Sequence, residues 1–182
     1  REALGDAERA GELAGEEGAA LRVGAERLAR AAIAGEATAL RPWEELLRSV
    51  RARGDATRAE LEVLANAEME LYPKKERKRI ETEWTERARR SRRRTETAAL
   101  DLALQLVTLW FADLISLAVG ADELVRNTDR PNELSADGGR SLEQLRAAIE
   151  HVEDTRQRFQ LNVSEELACE ALAYELERTV GP

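Results

Sequence analysis

Arginine is the residue type best placed to do chemistry in this sequence, because six of the eight residues from Arg87 to Arg94 are arginines. Between Pro73 and Arg94, eleven Lys or Arg stand against four Glu, a local charge of +7 in a chain that carries −8 overall. Such a density of cations can neutralise the phosphates of a nucleic acid. It can equally flank a membrane span or form a solvated helix face.

Glutamates divide the basic run at four positions: Glu76, Glu81, Glu83 and Glu86. On a helix they can pair with cations three or four residues away. Trp84 is the only aromatic residue of the run, so stacking on bases has little support. We favour a solvated helix face in an otherwise acidic protein, and a basic-helix module that contacts DNA is the alternative. Its DNA-facing side chains would be Lys74, Lys75, Arg77, Lys78, Arg79, Arg89, Arg90, Arg92, Arg93 and Arg94.

The apolar stretch after the arginines, residues 98–119, has the length of a membrane span, which takes about 20 residues. Asp101 and Asp113 argue against a span, since each costs about 2.5–3.5 kcal/mol near mid-membrane. A helical wheel places the small and polar residues on one narrow stripe, namely Asp101, Gln105, Thr108, Ala112 and Ser116. This pattern is typical of a core helix with one edge in water. We therefore predict a buried helix and no membrane contact.

Other candidates for chemistry are few. With one Cys and one His, the chain can form neither an internal disulfide nor a zinc site of the usual kind, and a reducing cytoplasm fits this composition. Cys169 lies among Ala and Leu and is predicted to be a buried inert thiol, whereas His151 lies beside acids on a polar flank. Phosphate-binding loops, dinucleotide fingerprints and the nucleophile elbow are absent from the sequence. We predict no enzymatic activity, no cofactor, no metal and no small-molecule substrate, although a ligand pocket hidden among apolar helix faces stays open as a further alternative.

The elements that must position these residues are predicted to be helices, because Ala, Leu, Glu and Arg dominate a chain with only 4% aromatic residues. Helices are expected over residues 1–14, 17–34 and 42–53. A break at Gly54 and Asp55 is followed by a further helix that includes residues 61–72. The long helix is expected over residues 74–119, and the last two begin at Ser141 and at Asn162 or Ser164. The long helix contains neither Gly nor Pro. Its inward face is predicted at Ile80, Trp84, Ala88, Ser91, Thr95, Ala98, Leu102, Leu106 and Leu109. Loops are expected over residues 35–42 and 126–140.

Caps and apolar faces define the remaining helices. Ser141 and Gln144 have the spacing of a capping box. Inward residues are predicted as Leu61, Leu64, Ala65, Leu71 and Tyr72 before the long helix, as Leu142, Leu145, Ile149, Val152 and Phe159 after Ser141, and as Leu167, Ala168, Ala171, Leu172 and Leu176 in the last helix. The first two helices have few large apolar residues, so we expect them to pack against another element of the fold.

Three segments together resemble the C-terminal domain of the bacterial DNA polymerase III clamp-loader delta-prime subunit. They are "AALDLALQL" (98–106), "WFADL" (110–114) and "RNTDR" (126–130), preceded by the basic helix. The ending "LNVSEELACEALAYEL" (161–176) is similar to the closing pattern of that family. Two departures are Ser164 and Glu165 in place of Asn-Pro, and Ala112 in place of an Arg before Asp113.

The resemblance implies a collar domain over residues 42–180, a bundle of about five helices with one long central helix, preceded at 1–35 by the end of a small lid domain. It implies a structural role in DNA replication in the cytoplasm, without nucleotide binding by this segment. The partners would be the other clamp-loader subunits of a hetero-pentamer, and primed DNA would be reached through the complex. Residues of the partner interface or the core would be Trp110, Phe111, Leu114, Leu117, Leu167, Leu172 and Leu176.

Overall fold

A computed structural model describes residues 11, 13, 15–161 and 163–182 of the chain. Within that part, the regular elements are helices and no strand occurs. The α-helices are α1 (Glu16–Ala34), α2 (Ala37–Leu40), α3 (Pro42–Glu70), α4 (Lys74–Ala118), α5 (Pro131–Ala136), α6 (Leu142–Arg158) and α7 (Glu165–Val180). The prediction of an all-α bundle with one long central helix is confirmed. The predicted helix over residues 1–14 falls almost entirely outside the described residues, as does the Asn162 cap.

The described chain divides into two compact units. The core unit consists of the residues up to Leu47 together with Asp101–Pro182, and the hairpin unit is Arg48–Leu100. The division falls inside α3 and α4, so each of these helices contributes to both units. It does not follow the predicted boundary between residues 35 and 42, because α1 packs on α7 within the core unit. The assignment of 1–35 to a lid and of 42–180 to a collar stays a prediction.

Helix α7 is the element on which the core unit is assembled, since α1, α2 and α6 all pack against it. The large side chains buried in this unit are Leu21, Leu28, Trp43, Leu46, Leu47, Leu104, Trp110, Phe111, Leu134, Leu145 and Leu172. Helix α1 has few large apolar residues and is buried by packing against α7, α2 and Leu46 of α3, as its sequence predicts. Burial of such side chains contributes about 1.5–3 kcal/mol each.

The apolar half of α4 is a core helix of this unit. It contains an 18-residue window that is apolar enough to cross a membrane by length and composition, but 61% of that window is buried inside the protein. The prediction that one edge of this helix reaches water is confirmed. The residues of that edge are all only partly buried, namely Asp101, Gln105, Thr108, Ala112 and Ser116. Burial by neighbouring helices therefore accounts for the hydrophobicity of this segment.

The hairpin unit is an antiparallel pair formed by the second part of α3 and the first part of α4, joined by a turn at Leu71–Pro73. Trp84 Nε1 donates to Glu68 Oε2 over 3.0 Å, and the hydroxyls of Thr57 and Thr95 lie 3.2 Å apart. Many of the buried or half-buried residues of this unit are small, namely Gly54, Thr57, Ala65, Ala88, Ser91, Thr95 and Ala99, and the larger ones include Val50, Leu61, Met69, Ile80, Trp84 and Leu100.

The expected break at Gly54 is wrong, because α3 continues through it as regular helix. A Cβ on Gly54 would come within 2.6 Å of Glu96 Cγ and 2.8 Å of Glu96 Oε1. Glu96 is buried there and accepts from Arg92 Nε over 2.9 Å. The glycine therefore serves the close approach of two helices rather than the end of one.

Three predicted inward residues of this unit lie at the surface. Leu64 is 55% and Leu71 is 83% exposed, and Ala98 is exposed while Ala99 takes the inward place. The physical reason is that each helix of the hairpin unit has one partner helix within the unit, which covers only a narrow stripe. The rest of the predicted α4 face is correct.

The two predicted loops each contain a short helix, α2 in the first and α5 in the second. Gly35 ends α1 with φ of 73°, a left-handed conformation that glycine adopts without steric cost. The predicted caps are confirmed: Ser141 and Gln144 form the reciprocal capping box, and the Ser164 side chain accepts from the Leu167 N–H. Short polar segments can thus form single helical turns that periodicity does not detect.

We predict that Gly54→Ala and Glu96→Ala are coupled. Alanine at an exposed helix site normally gains about 1 kcal/mol over glycine, but here the added methyl group meets the Glu96 side chain. Gly54→Ala should therefore gain nothing or destabilise the chain, whereas the double variant should be about 1–2 kcal/mol more stable than the two single effects predict. Urea unfolding of the four proteins measures this, and additivity within about 0.5 kcal/mol would contradict it.

Candidate interaction surfaces

The carboxylate of Asp113 joins the end of α4 to the segment that follows it. Asp113 is 2% exposed. Its Oδ1 accepts from the Arg126 N–H over 2.8 Å, and its Oδ2 accepts from the Asn127 N–H over 2.7 Å and from Asn127 Nδ2 over 2.8 Å. A buried carboxylate with three N–H donors is well satisfied. The residues after α4 are therefore fixed to that helix by one side chain.

A second buried carboxylate, Asp137, fixes the far end of the same segment. Its Oδ2 accepts from Trp110 Nε1 over 3.0 Å and from Arg30 Nε over 3.2 Å. Burial raises the pKa of the Asp137 carboxyl above its ordinary value, even though Arg30 and the Trp110 N–H favour its ionised form. Nearby, Arg140 donates to the carbonyl oxygens of Ile33 and Val180 over 2.6 and 2.9 Å.

Sequence reasoning missed the roles of Asp137, Arg30 and Arg140. Arg30 lies 107 residues from Asp137, and Arg140 lies 107 residues from Ile33. Helical periodicity carries no signal for contacts over such separations. A hint existed only for Asp137, an acidic residue next to a Gly-Gly pair in a turn-forming segment.

The seven residues predicted for the core or the partner interface separate into two groups. Trp110, Phe111, Leu114, Leu172 and Leu176 are buried in the core unit. Leu117 is 36% and Leu167 is 66% exposed, so these two lie at the surface. The inward prediction is wrong for Leu167 and also for Ala171, because the buried side of α7 runs through Cys169, Leu172 and Ala173 instead.

The exposed side of α7 carries the apolar stripe, which we define as Leu167, Ala171 and Tyr174. All three side chains are exposed, and the exposed fraction of Tyr174 is 55%. Their spacing of four and three residues places them in one row along the helix. Leu161 and Val163, just before α7, are exposed as well. Apolar and aromatic side chains in one exposed row are typical of a protein–protein contact.

A groove of about 520 Å³ lies beside the end of α4, lined by apolar residues that include Leu114, Leu117, Val125 and Leu134. Three of its polar side chains are bonded within the protein: Asn127 to Asp113, Asp137 to Trp110, and Arg140 to backbone carbonyls. Asp122, Thr128 and Ser135 line it as well. The ligand-binding alternative therefore stays a prediction.

The basic residues of α4 are at the surface of the hairpin unit. Of the ten predicted DNA-facing side chains, Arg92 is half-buried and pairs with Asp55 and Glu96, and the other nine are exposed. Arg77 donates to the Tyr72 carbonyl oxygen, which turns it toward the hairpin turn. The sequence prediction of a solvated basic face agrees with these positions, and contact with DNA stays a prediction.

Residues with catalytic potential are few in the described part of the chain. Cys169 is buried, and burial, followed by the charge of Glu165, raises the pKa of its thiol to about 12. A thiol of this kind is not a nucleophile at neutral pH. No group of three or more His, Cys, Asp or Glu side chains suited to a metal ion occurs among the residues that the structure covers.

Comparisons with known protein families, with curated proteins and with solved structures found no match to this chain.

We expect Asp113→Ala to lower the free energy of unfolding by about 3 kcal/mol, since it leaves the buried Asn127 amide without an acceptor. Glu123→Ala removes an exposed carboxylate from the same segment and serves as the control, with a change within about 0.5 kcal/mol. Urea unfolding measures both variants. A similar small change for both would show that Asp113 does not hold the segment.

Asp137 should make stability depend on pH in a direction opposite to that of most acids. Because its pKa in the folded chain is raised, the protonated form favours the native state, and this contribution is lost as pH rises from about 4 through the raised value. The Asp137→Asn variant lacks this loss. Its unfolding free energy relative to the wild type should therefore increase with pH over that window in a urea series, and a decrease would contradict the assignment.

Proposed function

We propose that this chain is an assembly element of a bacterial DNA polymerase III clamp loader, similar to the collar domain of the delta-prime subunit. Its partners are the other loader subunits of a hetero-pentamer in the cytoplasm. In this proposal the segment is not an enzyme and takes no cofactor, because its sequence has no phosphate-binding loop or catalytic motif.

The observation that carries the proposal is the contact between two of the three motifs on which the resemblance rests. Asp113 belongs to "WFADL", and Arg126 and Asn127 belong to "RNTDR". The Asp113 carboxylate accepts three hydrogen bonds from Arg126 and Asn127. A chance likeness between Ala- and Leu-rich helices would not require an Asp and an Asn in these places.

The departures from the family pattern have local explanations. Ser164 and Glu165 replace the usual Asn-Pro, and Ser164 still caps α7 through its hydroxyl. Ala112, in the place of an Arg, is half-buried on α4 and offers no hydrogen bond from its side chain. Any partner contact that the family makes through that Arg is therefore left out of the proposal.

The apolar stripe of α7 supplies the surface that the proposal needs. Leu167 and Tyr174 expose more than half of their surface although they belong to the helix that organises the core unit. Leaving such side chains in water is unfavourable, and covering them with a second protein stabilises the complex. Helix α7 can thus face the chain's own core on one side and a neighbouring subunit on the other.

We expect the chain to co-elute with the other loader subunits on size-exclusion chromatography and Leu167→Asp/Tyr174→Asp to abolish this. Both side chains are exposed, so the double variant should keep the helical circular-dichroism signal and the melting temperature of the wild type within a few degrees. The matched control is Leu64→Asp/Leu71→Asp, which places the same two charges on exposed leucines of the hairpin unit.

Co-elution of the control together with loss of co-elution by the stripe variant would support the proposal. If the wild type does not bind the other subunits, the clamp-loader assignment is wrong. If the stripe variant binds as well as the wild type, the apolar stripe is not the interface.

A further inference from the structure

A row of exposed cations runs along α4 in the hairpin unit, and we call it the basic stripe. Its members are Lys75, Lys78, Arg79, Arg89, Arg90 and Arg93, all exposed. Residues separated by three, four, eleven, fourteen or eighteen positions lie on the same side of a helix, so these side chains share a face. At about 1.5 Å per residue, the stripe is about 27 Å long.

The stripe lies opposite the side of α4 that packs in the hairpin. The inward side is marked by Ile80 and Ala88, which are buried, and by Trp84, which is half-buried. Helix geometry places Lys75 and Arg93 roughly half a turn away from these residues. The stripe is therefore a free helix face rather than part of the contact between α3 and α4.

The threonines within the stripe have their hydroxyls bonded to the helix itself. Thr82 donates to the Lys78 carbonyl oxygen over 2.9 Å, and Thr97, at the end of the stripe, donates to the Arg93 carbonyl oxygen over 3.0 Å. These side chains are compact and neutral. They leave the cations as the groups that reach furthest from the helix.

Only part of the positive charge is neutralised by neighbouring acids. Glu83 pairs closely with Arg79 at 2.6 Å, whereas Glu86 is 4.0 Å from Arg89 and 3.9 Å from Arg90. Arg93 also has an acidic neighbour, because its guanidinium lies 3.9 Å from Glu96. Among the residues that the structure describes, Lys75 and Lys78 form no ion pair. Exposed pairs of this kind are weak and exchange readily with another anion.

The charge is concentrated in one unit of the chain. The hairpin unit contains fifteen Lys or Arg and ten Asp or Glu, a net charge of +5, while the rest of the chain has −13. Acidic surface elsewhere repels a polyanion, so attraction is confined to the hairpin unit. This separation of charge favours binding of a polyanion at one face over non-specific binding to the whole surface.

We infer that the basic stripe binds the phosphate backbone of duplex nucleic acid. An acidic protein partner fits less well, because the stripe contains no apolar residue that could form the dry centre of a protein interface. A single strand fits less well too, because the stripe contains no aromatic side chain on which unpaired bases could stack. The cations form two groups on one helix face, Lys75 to Arg79 and Arg89 to Arg93, and each group can contact the phosphates of a duplex.

The inference goes beyond the clamp-loader proposal and does not depend on it. The assembly experiment uses partner subunits and the apolar stripe of α7. The experiment below uses the 182-residue chain alone and the basic stripe of α4. Either can fail without affecting the other.

The test measures binding of the chain to a fluorescent 24-base-pair DNA duplex of arbitrary sequence by anisotropy over a salt series. A duplex RNA and a single strand of equal length are measured in parallel. Six phosphate contacts predict that log K falls with log salt with a slope of about −5, since each contact contributes about 0.9. Lys75→Gln/Lys78→Gln/Arg89→Gln should bring the slope to about −3 and weaken binding at low salt at least tenfold.

The matched control is Arg146→Gln/Arg158→Gln/Arg178→Gln, which removes the same charge from exposed positions of the core unit. It should keep the wild-type slope. Binding to both duplexes supports contact with the phosphate backbone, and binding to one duplex only supports a backbone contact that also depends on helix shape.

The inference is overturned if the chain binds neither duplex at 50 mM salt. It is also overturned if the control variant weakens binding as much as the stripe variant, since total charge rather than the stripe would then be responsible. Single-strand binding as tight as duplex binding, or competition by polyglutamate as effective per charge as by DNA, would overturn the choice of duplex nucleic acid.

Discussion

The apolar half of helix α4 cannot be exposed to water, and the arrangement of the core unit follows from the need to cover it. Leu102 and Leu106 lie on one side of the helix and Leu104 and Phe111 on another, and all four are buried. One partner helix would cover only one side. The core unit therefore surrounds this part of α4, whereas the charged half before it needs only the second part of α3 as a partner within the hairpin unit.

Covering α4 also buries polar N–H groups, and the carboxylates of Asp113 and Asp137 accept hydrogen bonds from them. Trp110 brings an indole N–H into the core, and Asp137 accepts it. The chain that turns back after α4 has to bury peptide groups, and Asp113 accepts two of their N–H groups. Each Asp stabilises a segment with little regular hydrogen bonding of its own, so the loop after α4 and the α5 region are held at both ends.

Much of the fold could be predicted from local pattern. The absence of Gly and Pro between Lys74 and Val119 predicts α4, and the Ser141 capping box predicts the start of α6. Local pattern did not show how many partners a helix has, and for this reason Leu64 and Leu167 were expected inside. It also did not separate the two uses of glycine: Gly35 ends a helix, whereas Gly54 lets a second helix approach. The residues of the apolar stripe of α7 and of the basic stripe of α4 could be listed from the sequence. Which of the apolar residues are exposed, and which of the cations have acidic partners, follows only from the three-dimensional contacts.

The slender side chains between the helices of the hairpin unit have a consequence for its motion. Ala65, Ala88, Ser91 and Thr95 bury little apolar area, and dispersion contacts among them are correspondingly few. We therefore expect local opening of this unit to require less free energy than opening of the leucine-rich core unit. The unit that opens more readily is then the one that carries the basic stripe.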